Sequence, residues 1–179
     1  MSLAKTWSGR LEAGLGRAIE FAAAALVVAE IVILLTGVIA RYGVQRPLIW
    51  SDELASMLFL WLAMLGSVIA LRRNEHMRMT ALVARLSERQ GASLEVFAIG
   101  AALAFLLMVA WPAYEFAQDE AFITTPALEM SNAWRAAALP AGISLMAVFA
   151  LLRLMREASV ATMLTALGTL VLLITAFWL

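Results

Sequence analysis

The chain has 179 residues, 64% of them hydrophobic, with a mean hydropathy of +0.90 and equal numbers of basic and acidic groups. A soluble domain is nearer half apolar, so this composition points to a membrane protein, and no basic run suggests nucleic acid. With no cysteine there is no disulfide, iron–sulfur cluster or thiolate nucleophile, and a single histidine, His76, excludes a bis-histidine haem held between two helices of this chain.

The first 18 residues are mixed in polarity, with Trp7, Leu11 and Leu15 at steps of four on one helical face. This spacing predicts a short surface helix leading into an apolar run at residues 21–40. The run is longer than the ~7–15 residues of a signal-peptide core and Glu30 interrupts it, so it reads as a retained helix. Further runs cover residues 54–71, 94–111 and 134–152. Each is close to the ~17–25 residues that carry a helix across hydrocarbon, where a helix satisfies its own backbone. Between the first two runs, Tyr42 and Trp50 sit where interfacial aromatics belong. Ser51 is placed to cap the second helix, with Asp52 and Glu53 in its first turn.

After the second run, Met79, Leu82, Val83 and Leu86 follow the i, i+3, i+4, i+7 pattern of an amphipathic helix lying on the membrane surface. The third run continues into Tyr114-Glu115-Phe116, predicting a helix that outlasts the bilayer, and Pro112 is a candidate kink. Thr125-Pro126 reads as an extended or turn element, and Pro140 falls early in the fourth run. Residues 159–179 form a fifth apolar run. The domain reading is therefore a four-helix membrane unit over 1–157 and an added helix over 158–179.

Positive charge is divided unequally over this map. Lys5, Arg10, Arg17, Arg72, Arg73, Arg78, Arg85, Arg89, Arg153 and Arg156 fall on one side, and only Arg41, Arg46 and Arg135 on the other. The positive-inside rule puts the N-terminus in the cytoplasm, and the loops near 41–53 and 112–133 outside.

Candidate chemistry is sparse. Glu30 lies near the middle of the first run, where a carboxylate is expensive and faces protein or water. A proton or cation relay is one reading, and a hydrogen-bonding residue at a helix contact is the other. A relay needs successive titratable groups, and runs 54–71 and 94–111 contain none, which favours the contact. Asp52 and Glu53, adjacent on a helix, point about 100° apart and do not converge on one atom. Glu115, Asp119 and Glu120 share a face and form a solvated patch able to meet a soluble partner. Arg72, Arg73, His76 and Arg78 cluster where they fix topology and meet phospholipid headgroups. No catalytic set, phosphate loop or metal-ligand spacing is present, so the chain reads as no enzyme and as needing no cofactor.

Several motifs occur together in order. They are Ala40-Arg41-Tyr42, Pro47-Leu48-Ile49-Trp50-Ser51-Asp52-Glu53-Leu54, Leu60-Trp61-Leu62-Ala63-Met64-Leu65-Gly66, Arg72-Arg73 with His76, Thr125-Pro126-Ala127-Leu128, and Leu139-Pro140-Ala141-Gly142. In this combination the chain resembles the small, DctQ-like membrane subunit of TRAP transporters, over about residues 19–155. The resemblance implies an all-α accessory subunit of the bacterial inner membrane. Such a subunit braces a large M subunit that carries the sodium and substrate sites. A periplasmic binding protein delivers an organic acid, such as a C4-dicarboxylate or sialic acid. On this reading Arg41, Tyr42, Trp50, Glu53, Trp61, Arg72, His76, Pro126 and Pro140 are structural or docking residues. Asp52, Glu53 and the Glu115–Glu120 patch face the binding protein. The fifth run departs from the family's four-helix small subunits and is similar to the connector of chains in which small and large subunits are fused. The alternatives are a self-sufficient carrier or channel, which liposomes holding this chain alone would reveal, and an anchor for another complex such as a redox enzyme.

Overall fold

The computed structural model describes residues 2–73, 88–157 and 175. His76, the amphipathic segment at 79–86 and all of the fifth run except residue 175 lie outside the described residues. Helix α1 runs Ser2–Tyr42, α2 Ile49–Arg73, and α3 Glu88–Asp119. A 3₁₀ turn at Glu120–Phe122 follows, then the short α4, Ala133–Ala136, and α5, Ala138–Glu157. Four helical segments are long and apolar enough to cross a membrane: Glu12–Tyr42, Ile49–Arg73, Val96–Phe122 and Ala133–Met155. The predicted all-α, four-span membrane architecture is therefore the one observed.

The leader and the first span are one helix. With 41 residues, α1 is about 61 Å long, twice the ~30 Å of a hydrocarbon core. Gly14 and Gly16 stand just before the predicted junction near residue 18, but no proline does, and the helix continues through it. Helix α3 likewise runs unbroken through Pro112 to Asp119, past the end of its apolar run. Ser51 is not the cap of α2. The helix begins two residues earlier, at Ile49, and the Ser51 hydroxyl donates to the Leu48 carbonyl at 2.6 Å from inside the first turn. A single residue, Ala137, separates α4 from α5. Pro140 accounts for the break, because it lacks the N–H that would reach the Ala136 carbonyl and its ring crowds that oxygen. Within α5 itself Pro140 stands in the first turn, where no donor is missed.

The helices lie in the order α1, α2, α5, α3, each packing mainly on its neighbour. Val96, Ile99 and Leu103 of α3 meet Ala150 and Leu154 of α5, and further along Leu106 and Ala113 meet Ile143. Ile19 and Ala23 of α1 pack with Leu65 and Val68 of α2 and Phe149 of α5. Close approach between helices is set by glycine at two places. A Cβ at Gly142 would come within 2.8 Å of Met64 Cβ, and one at Gly37 within 2.9 Å of the Ser51 hydroxyl. The outer side of α1 stays bare, with Phe21 78% and Ile31 59% exposed. Such a surface is unstable in water but neutral against lipid or another membrane helix.

Candidate functional site

At the end of the bundle formed by the α1–α2 turn and the α3–α4 loop, side chains tie separate elements together. The turn closes α1 through Gly43 and Val44, whose N–H groups donate to the Ile39 carbonyl, and through Arg46, which donates to Ala40. Gln45 takes a positive φ of 57° to make the reversal. Arg41, the last basic group of α1, pairs with Asp52 of α2 at 3.0 Å. Ser51, 2% exposed, fills the space left by Gly37.

Glu53 does more than occupy a helical first turn. Its carboxylate accepts the N–H of Ala127 and the N–H of Leu128, both at 2.9 Å, across 74 residues of sequence for the first of them. The loop is built to offer those two donors. Thr124 and Ser131 form an antiparallel bridge at its neck. Thr125 N–H donates to Met130, and Glu129 N–H returns to Thr125 at 3.0 Å. Pro126 enters the turn without a donor of its own, and Glu129 leaves it with φ 52°. The N–H groups of Ala127 and Leu128 then stand like the unfilled donors of a helix's first turn, which a carboxylate satisfies with charge-assisted bonds. Two turns further along α2, Trp61 Nε1 donates to the Trp134 carbonyl at 2.9 Å. Asn132 is buried and donates to Glu120. The cleft between α2 and this loop, about 230 Å³, is lined by Glu53, Met57, Pro126 and Arg135 among others.

Of the predicted residues, the fold thus brings Glu53 to the Pro126 loop, Trp61 to the loop's far end, and Arg41 to Asp52. The acidic patch does not act as one. Glu115 accepts from the Trp111 indole at 2.8 Å, Glu120 is turned to Asn132, and Asp119 is exposed. Tyr42, Trp50, Trp111, Tyr114 and Trp134 are all exposed around this end, the arrangement of an interfacial aromatic belt. Arg72 is at the opposite end of α2. There Arg72 and Arg73 both bind Glu20 of α1, at 2.7 and 2.9 Å. Gly16 makes room for the Arg72 guanidinium, which a Cβ would strike.

Sequence reasoning missed the Glu53–loop pairing, the role of Glu20, and the Gly37–Ser51 contact. Glu20 carried a usable signal, being an acid at a span boundary with an Arg-Arg pair at the matching end of the next span. The partners of Glu53 and Trp61 are backbone groups, so no complementary side chain announces them.

The geometry is that of a helical membrane scaffold whose polar groups fasten its own elements together. The family of tripartite ATP-independent periplasmic transporters, DctQ component, matches residues 30–160, and the chain belongs to it. It is thus a membrane component of a transporter. Over 117 residues it is 30% identical to the sialic acid TRAP transporter small permease protein SiaQ of Vibrio cholerae, covering 65% of this chain and 68% of that one. A putative TRAP transporter small permease protein of Haemophilus influenzae is 31% identical over 72 residues, 40% of this chain and 45% of the other. The sialic acid TRAP transporter permease protein SiaT of Haemophilus influenzae is 36% identical over 70 residues, 39% of this chain and 11% of that much longer protein.

Proposed function

We propose that this chain is the accessory scaffold of a sodium-coupled importer of organic acids, bracing a large transport subunit that holds the sodium and the substrate. A binding protein on the outer face delivers the acid, and the loop pinned by Glu53 belongs to the surface it meets. The observation that carries this reading is the layout of the bundle. Its main contacts run in a single row, α1, α2, α5, α3, a plan suited to a brace rather than to enclosing a pathway, and α1 is left with one broad apolar side open. The unequal distribution of Lys and Arg supports a cytoplasmic N-terminus in the inner membrane.

Purification from native membranes through a tag on this chain tests the reading. A large, many-helix partner should follow, and vesicles holding both should take up an organic acid in response to a sodium gradient. Uptake by vesicles holding this chain alone would overturn it. Orientation is open to direct labelling because the chain has no cysteine. A single cysteine at Gln45 should react with an impermeant maleimide from outside the cytoplasmic membrane, and one at Glu12 should not.

A further inference from the structure

Residues Gly16, Ile19, Ala23, Leu26, Glu30, Ile33 and Gly37 form the stripe of α1 that is buried or half-buried, and it is the stripe turned toward α2. Of the ionisable groups that α1 half-buries, Glu12 and Glu20 lie near its start, and Glu30 alone lies deep in the apolar run. The contacts on either side, Glu20 with Arg72 and Gly37 with Ser51, put Glu30 opposite the middle of α2. The α2 residues at that level are Leu58, Phe59, Leu60, Trp61 and Leu62. Among the described residues Glu30 has no hydrogen bond and no ion pair. The half-buried acids at the two ends of the bundle are engaged, Glu20 by two arginines and Glu53 by two N–H groups. On one side of Glu30, Leu26 packs into the cluster shared with α5. On the other, Val27 and Leu34, one turn before and after, are 40% and 46% exposed. The carboxyl group therefore stands at the edge of an exposed apolar face shared by α1 and Phe59 of α2, at mid-membrane depth. There an unmatched acid is strongly disfavoured and a donor beside it is worth more than in water.

We propose that a membrane-spanning helix of the large transport subunit packs on this face and presents a hydrogen-bond donor or cation to Glu30. The proposal rests on the accessory reading above and names the contact through which it operates. Charge complementarity selects the occupant. An acyl chain offers Glu30 nothing, and a second α1 would bring another carboxylate to the same depth. Val27, Leu34 and the exposed Phe59 supply the apolar walls that a helix needs on either side of such a donor.

The test uses the complex purified from native membranes, with a photo-crosslinking amino acid at position 27 or 34 of the tagged chain. Both positions should crosslink to the large subunit, and Val32, on the opposite face of α1, should not. In parallel, Glu30→Leu should lower the recovery of the large subunit about tenfold, the equivalent of one well-made hydrogen bond, at unchanged amounts of the tagged chain in the membrane. Glu30→Gln, which keeps an acceptor, should retain most of it. Crosslinks that join two copies of this chain or reach only lipid would overturn the proposal. So would a Glu30→Leu chain that holds its partner as well as the parent does. If no large subunit accompanies the parent chain, the accessory reading itself fails, and this proposal with it.

Discussion

The two ends of α2 are fastened by different chemistry. At its start, Glu53 bonds to backbone groups of a loop that arrives from the far side of the bundle, and midway along the helix Trp61 bonds to the Trp134 carbonyl just beyond that loop. At its finish, Arg72 and Arg73 bond to a carboxylate on the neighbouring helix. A side chain that binds backbone fixes the path of a chain, because peptide N–H and C=O groups cannot move without rebuilding the loop. An ion pair between long side chains fixes only a distance and tolerates sliding and rotation. The loop end is thus a shaped surface and the Arg72 end a hinge-like clasp.

The largest expected effect comes from Glu53→Ala. It strands the Ala127 and Leu128 N–H groups and should destabilise the protein by about 2–4 kcal/mol, two hydrogen bonds to a charged group at about 1.5–3 kcal/mol each less what water restores to the half-buried donors. Thermal unfolding in detergent should report the loss, and proteolysis should become selective for residues 124–131. A uniform loss without loop-selective cleavage would break the distinction between the ends. Trp61→Phe removes one neutral hydrogen bond and should cost about 1 kcal/mol, read in the same assay. Glu20→Gln at the clasp should have a smaller effect that 1 M salt removes, because screening then acts within ~3 Å, whereas the Glu53→Ala defect should persist in salt. Arg41→Ala breaks a pair whose side chains are 50% and 67% exposed. It should shift stability by under about 0.5 kcal/mol, the usual worth of an exposed ion pair.

The four spans were legible because hydropathy over ~20 residues is a direct image of the bilayer's thickness. So was the outward reach of α3, since Tyr114-Glu115-Phe116 continued the helical pattern past the apolar run. Helix beginnings were less legible. Ser51 has the chemistry of a cap, yet α2 starts at Ile49 and the hydroxyl serves tight packing against Gly37 instead. Glu120 stands apart from Glu115 and Asp119 for a similar reason. Helical spacing gives a shared face, but Glu120 has left the α-helix for a 3₁₀ turn, and Asn132 draws it away. Glu53 was singled out by its place in a motif. That the same set of motifs held Thr125-Pro126-Ala127-Leu128 was the trace of their contact, although neither segment alone disclosed it.

The same pairing orders the birth of the protein in the membrane. Glu53 is made and carried to its side of the bilayer with the first hairpin, while Ala127 and Leu128 are still unsynthesised. During that interval its carboxylate has only water for company. The loop acquires its shape when the second hairpin has crossed and its turn swings over the waiting acid. Until then the Glu53 carboxylate and the Ala127 and Leu128 N–H groups lack the partners that they hold in the finished fold.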